Sequence, residues 1–158
     1  MSAEPKPMSD NELVLTRLMD ASREALYRCW TDPELLKQWF APAPWTTPVA
    51  ELDVRVGGGN RIVMRSPDGK DFPNFGSYLE VLPDAKLVFT DAYTGDWQPS
   101  AKPFMTVILT FEQEGDKTRY TARVRHWSKE DRDTHDKMGF HEGWGLCADQ
   151  LERLARNL

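Results

Sequence analysis

The stretch from Ser128 to Leu158 constrains the fold more than any other part of this chain. From Trp144 onward, Trp144, Cys147, Ala148, Leu151, Leu154, Ala155 and Leu158 recur at the i, i+3, i+4, i+7 spacing of a single helix face. Carried back to Ser128, a good N-cap, the pattern predicts one long C-terminal helix of roughly 28 residues and roughly 40 Å, enough to cross a whole domain. Its front half carries Gly139, Gly143 and Gly145, each costing about 1 kcal/mol relative to alanine inside a helix. A covering helix that gives up side-chain bulk leaves room beneath it. The expectation is therefore a helix laid over a sheet with a space between the two.

The rest of the chain supplies that sheet. Glu12 to Met19 reads as a first strand, and two short helices follow: Ser22 to Trp30, then one capped by Asp32, opened by Pro33 and running to Phe40. The Pro-rich segment Ala41 to Pro48 reads as an extended loop. Strand-like runs then cover Val49–Val56, Asn60–Ser66, Phe75–Leu82, Lys86–Tyr93, Phe104–Gln113 and Thr118–His126. The short separators, among them Gly57-Gly58-Gly59, Pro67-Asp68-Gly69, Pro83-Asp84 and Glu114-Gly115-Asp116, imply antiparallel pairing. Glu51, Asp53 and Arg55 alternate with Leu52, Val54 and Val56, and Arg119, Arg123 and Arg125 alternate with Tyr120, Ala122, Val124 and His126. One face of the sheet is charged and the other apolar, so the apolar face needs a cover. In the runs 75–82 and 86–93 the phase stays open: Val88/Thr90 and Leu87/Phe89 each fit an inward position.

Composition narrows the function classes. A chain of 158 residues suits one domain, which buries about 70% of its unfolded surface. Residues 1–11 read as a disordered leader and 12–158 as the domain. The net charge of −5 is made of interspersed charges, whereas nucleic-acid binding needs clustered Lys and Arg. No apolar run reaches the roughly 18 residues of a membrane span and no signal region opens the chain, so a cytoplasmic protein is expected. Cys29 and Cys147 lie on expected helices without a CxxC pattern, which predicts two reduced, buried thiols.

Several stretches together resemble a known family: Thr31–Phe40, Asp53–Gly58, Met64–Gly69, Gly76–Pro83 with Leu87–Thr90, and Gly139–Trp144 with Leu151 and Leu154. In this order, over residues 12–158, the chain resembles the START-related SRPBCC superfamily. Within it, the chain is similar to the domain of the activator of the heat-shock-protein-90 ATPase. The resemblance implies an α+β helix-grip fold like that of the birch-pollen allergen. Such a fold has a curved antiparallel sheet of about six or seven strands wrapped around a long C-terminal helix, with two short helices between the first two strands. It also implies a cavity between sheet and helix for apolar or amphipathic small molecules.

The residues suggest what would line such a space. His141 lies three before Trp144 on the apolar stripe, and His126 ends the apolar face of the last strand. A histidine there can act as acid or base or hold a polar ligand group, or it can be a satisfied polar residue at a rim. Apolar and aromatic lining is expected from Trp39, Phe40, Trp45, Met64, Phe75, Phe89, Met105, Tyr120 and Trp144, with Tyr78 or Tyr93 adding orientation. Gly57-Gly58-Gly59 leads into a strand rather than a helix, so it reads as a turn and not a phosphate loop. His135 and His141 are six apart and no Cys or carboxylate completes a ligand set, so no metal and no cofactor are expected.

The reading is a monomer or homodimer that binds a hydrophobic or aromatic small molecule without requiring catalysis. Two alternatives stay open: a cyclase, dehydratase or hydrolase using His141 or His126, and a protein-interaction or co-chaperone-like module.

Overall fold

The computed structural model describes residues 6–158. Seven strands form one antiparallel sheet: β1 (Glu12–Met19), β2 (Thr46–Leu52), β3 (Gly59–Arg65), β4 (Asp71–Leu82), β5 (Lys86–Thr90), β6 (Met105–Glu114) and β7 (Lys117–His126). Their order across the sheet is β1-β7-β6-β5-β4-β3-β2, which leaves β1 and β2 as open edges. Helices α1 (Arg23–Thr31) and α2 (Pro33–Leu36) join β1 to β2, and α3 (Lys129–Lys137) and α4 (Phe140–Ala155) follow β7. This is the α+β helix-grip arrangement expected from the residues. Among the described residues, no helix is long and apolar enough to cross a membrane.

The caps explain where the early helices start. The Ser22 hydroxyl accepts from the Ala25 N–H at 3.1 Å, and the Asp32 carboxylate from the Glu34 N–H at 3.0 Å. Each satisfies a backbone donor that the helix itself leaves unpaired. Pro48 sits in β2, an edge strand, where a residue without an N–H disturbs no central ladder. At the other edge Glu12 is fully buried between Arg123, 2.7 Å away, and Arg125, also at 2.7 Å. Burial acts to raise the Glu12 pKa, but hydrogen bonds from Arg125, the Met8 N–H and Arg123 outweigh it, holding the carboxyl below its ordinary range.

Of the expected leader, residues 1–5 lie outside the described residues. Residues 6–11 run beside β7, with Arg123 donating to the Lys6 carbonyl at 3.0 Å and the Asn11 side chain donating to the His126 carbonyl at 2.7 Å.

The core lies on the inner face of the sheet. Leu13 and Leu15 of β1, Ile62 of β3, Leu87 of β5, Val107, Leu109 and Phe111 of β6, and Tyr120, Ala122 and Val124 of β7 pack with Leu26 and Trp30 of α1 and with Phe140, Ala148, Leu151 and Ala155 of α4. The phase of β5 is thereby decided: Leu87 and Phe89 join the core cluster, while Val88 and Thr90 are buried outside it. In β4, Tyr78 faces inward, and a bulge between Tyr78 and Glu80 shifts the following residues so that Val81 also packs on the core.

Six expectations about the elements need correction, two of them strand starts: β4 begins at Asp71 instead of Phe75, paired with Arg65 across the turn at residues 66–70, and β2 begins at Thr46, inside the segment expected as a loop, where Thr46 pairs with Arg65. The C-terminal helix is not continuous: it breaks after α3, at Met138 and Gly139, where Gly139 adopts φ +93. That left-handed conformation ends a helix, and glycine adopts it at little cost. The second helix stops at Leu36 instead of Phe40, because the bonds beyond it tighten to three-residue spacing, as in Gln38 N–H to Leu35 O at 3.0 Å. The run expected at Val49–Val56 leaves the sheet at Leu52. A tight turn replaces its end, closed by Gly58 N–H donating to Arg55 O at 2.8 Å, and Val56 is exposed. A Cβ on Gly58 would lie 2.0 Å from the Asp53 carbonyl, so this turn admits no side chain there. Finally, β5 ends at Thr90 instead of Tyr93, because Asp91 turns the chain to cap the start of β6.

Candidate functional site

Between the inner sheet face and α4 lies a recess of about 380 Å³. Its walls come from every layer of the fold: Trp30 of α1; Trp39, Phe40 and Pro42 after α2; Met64, Asn74, Phe89, Met105 and Tyr120 of the sheet; Asp91 and Phe104 of the loop between β5 and β6; His135 and Met138 of α3 and its end; and Gly143, Trp144, Cys147 and Ala148 of α4. Gly143 is the glycine that leaves room: apart from its chain neighbours and the backbone of its own helix, no atom lies within 4 Å of a Cβ built on it. Gly145 serves packing instead, since its Cβ would sit 2.9 Å from an Arg17 nitrogen.

One wall is fixed by a single α4 side chain. The Gln150 amide donates to the carbonyls of both Trp39 and Ala41 at 2.9 Å, while its oxygen accepts from the Ala43 N–H at 2.9 Å. All its hydrogen-bonding goes to the segment that carries Trp39, Phe40 and Pro42. The aromatic packing continues inward: Trp30 lies 4.6 Å from Trp39 and 5.6 Å from Phe89 between ring centroids. Trp39 donates its indole N–H to the Cys29 carbonyl at 3.0 Å. The indole N–H of Trp30, a residue only 4% exposed, is directed at the Tyr120 hydroxyl without closing a full hydrogen bond.

The break in the C-terminal helix creates the polar end. It lets α3 lie against β1 and β7, which brings His135 onto His126: His126 Nε2 and His135 Nδ1 are 2.8 Å apart. His126 Nδ1 faces the Asn11 carbonyl at 2.9 Å, and a carbonyl only accepts, so Nδ1 carries the proton. In neutral His126, Nε2 then accepts from the His135 Nδ1–H, and His135 Nε2 is left bare. Phe104 and Phe140 pack on His135, at 5.3 and 5.1 Å. Burial, with a contribution from the neighbouring His126, depresses the His135 pKa to about 4.

Other titratable groups are also shifted by burial. The thiols of Cys147 and Cys29 are pushed up to about 12 and about 11, and both are free, so neither is a thiolate nucleophile at neutral pH. Burial raises the Tyr120 phenol above its ordinary range, opposed in part by the nearby Trp30 indole, and holds the Tyr78 phenol at about 12. Among the described residues, no three His, Cys, Asp or Glu gather as a metal site.

The sequence-derived candidates fall into three groups. Trp39, Phe40, Met64, Phe89, Met105, Tyr120 and Trp144 line the recess together. Tyr78 and His126 are buried behind it, Tyr78 beside Phe89 with 6.4 Å between rings. Trp45, Phe75, Tyr93 and His141 lie elsewhere. Trp45 packs on Phe72, Phe75 is exposed, and Tyr93 meets Trp97 in the loop after β5. His141 is exposed because α4 starts afresh at Phe140, which takes the inward position, and the next residue is turned about 100° away. Trp30, Asp91 and His135 were missed. Trp30 was findable four residues after Leu26 on the buried stripe of α1; His135 has no such signal, since the helix break positions it.

A family model described as "Activator of Hsp90 ATPase homolog 1-like protein" matches residues 20–156. A solved structure from Nitrosomonas europaea is 38% identical over 94% of this chain and 96% of its own, with a TM-score of 0.91. One from Mycobacterium smegmatis is 24% identical over 92% and 90%, with a TM-score of 0.78. One described as AHSA1-like, from Aeromonas hydrophila, is 20% identical over 92% of each chain, with a TM-score of 0.71. The last two show likeness of fold alone. No curated protein matches the chain.

Proposed function

The chain belongs to the Activator of Hsp90 ATPase homolog 1-like family, and we propose that it binds an apolar or aromatic small molecule in the recess between its sheet and α4. The observation that carries this reading is the recess itself. At about 380 Å³ it falls in the range of small-molecule sites, and its aromatic walls hold a few polar groups that can fix orientation. Binding is favoured over acid–base turnover by His135: with a pKa near 4 it stays neutral at pH 7 and is a weak base there.

The test is native mass spectrometry of freshly purified protein, followed by thermal unfolding with a panel of apolar aromatic compounds. A bound mass released on denaturation, or a ligand-dependent rise in Tm, is expected. The absence of both a bound mass and any shift across the panel would refute binding.

A further inference from the structure

The walls of the recess are one-sided in charge. They hold one carboxylate, Asp91, one histidine, His135, and neither lysine nor arginine. These two groups sit at the same end, joined through Phe104. Its backbone N–H donates to Asp91 Oδ1 at 2.8 Å, and its ring lies 5.3 Å from that of His135. The Met105 N–H also donates to Oδ1, at 3.1 Å. Asp91 Oδ2 has no protein partner among the described residues. With His126 neutral, His135 Nδ1 donates to it and Nε2 is bare. The polar end therefore presents two acceptors.

Resting on the binding reading above, we infer that the recess takes an uncharged aromatic molecule bearing a hydroxyl or N–H donor, and discriminates against carboxylates. A donor meets the free oxygen of Asp91 or the bare nitrogen of His135, so its lost water is replaced. A carboxylate gives up part of its hydration, finds no cation in the walls and meets the like charge of Asp91. Apolar bulk alone does not distinguish the two. A free fatty acid or an aromatic acid fits the greasy walls and still fails at the polar end.

Three probes of nearly equal size test this: 2-naphthol, 2-methoxynaphthalene and 2-naphthoate, titrated calorimetrically into the full chain at pH 7.5. The naphthol is expected to bind about tenfold more tightly than the naphthoate, and severalfold more tightly than the ether, which lacks a donor. Asp91→Asn keeps an oxygen for the Phe104 and Met105 N–H groups while removing the charge. In that variant the gap between naphthol and naphthoate is expected to narrow at least threefold. If the naphthoate binds as tightly as the naphthol, or if Asp91→Asn leaves their ratio unchanged, the donor-selective reading is wrong while binding itself stands. If none of the three binds, both readings fall.

Discussion

Replacing Gly143 by leucine tests directly whether the space under α4 is unfilled. Gly143 lies within the helix and on the wall of the recess, with open space where a Cβ would go. Leucine recovers most of the roughly 1 kcal/mol that glycine costs in a helix. Its side chain gains about 1.5–3 kcal/mol if fully covered, and about half that in a recess that opens to solvent. The net expectation is stabilisation of about 1.5–2.5 kcal/mol. In a domain of this size that raises Tm by roughly 3–10 °C, while the occupied volume abolishes ligand-induced shifts. Two neighbouring glycines serve as controls read in the same thermal assay. Gly145→Ala places its Cβ 2.9 Å from the end of Arg17, an exposed and movable side chain, so stability changes by no more than about 1 kcal/mol and binding persists. Gly139→Ala forces φ +93 on a residue with a Cβ and lowers stability by about 1–2 kcal/mol. If Gly143→Leu lowers Tm as Gly139→Ala does, the helix is packed solidly onto the sheet and the recess is not a site.

Two further outcomes follow from the shifted groups. The folded His135 pKa of about 4 lies below its ordinary 6.5, so between those values the unfolded chain binds more protons than the folded one. Stability therefore rises with pH across that window and is lost as pH falls from 6.5 toward 4; His135→Phe flattens this slope in urea unfolding at pH 5 and 7, and an NMR titration midpoint near 6.5 for His135 would refute the assignment. Cys147 and Cys29, with pKa values of about 12 and about 11, resist iodoacetamide at pH 7.5 in the folded protein and react on unfolding. Rapid folded-state labelling of Cys147 would show that α4 does not hold its thiol against the Phe40 carbonyl, 3.3 Å away.

The fold was legible where a residue's period settles its burial. Alternation along 118–126 placed Tyr120, Ala122, Val124 and His126 inward, and all four are buried. Ser22 and the Asp32-Pro33 pair fixed the starts of α1 and α2 because capping is a local hydrogen bond. The phase of β5 was not legible, since all four of Leu87, Val88, Phe89 and Thr90 are apolar or small enough to be buried on either side. It is decided by the bulged hairpin with β4 and by pairing with β6 across the long loop of residues 91–104. The ends of β2 and α2 were misplaced for the opposite reason. There the chain leaves a regular pattern to make tertiary contacts, Arg55 with Asp96 and the Trp39 and Ala41 carbonyls with Gln150, which no local propensity encodes.

The histidines show what one backbone dihedral does to a site. A continuous helix from Ser128 would have placed His141 on the stripe shared with Trp144 and left His135 without a partner. The turn at Gly139 separates the two halves, so each takes its own phase. The α3 half brings His135 to His126 at the end of β7, and the α4 half starts with Phe140 inward and His141 in water. The cost of glycine in that segment and the polar end of the recess thus share one origin. Because His135 is positioned by the break rather than by its own stripe, relaxing Gly139 should disturb the His126 contact before it disturbs the aromatic walls. The latter hang on α1, on Gln150 and on the sheet. The polar end and the aromatic walls are consequently held by separate parts of the fold: His135 by the helix break, Asp91 by the Phe104 and Met105 N–H groups, and the walls by the packing of strands and aromatic rings.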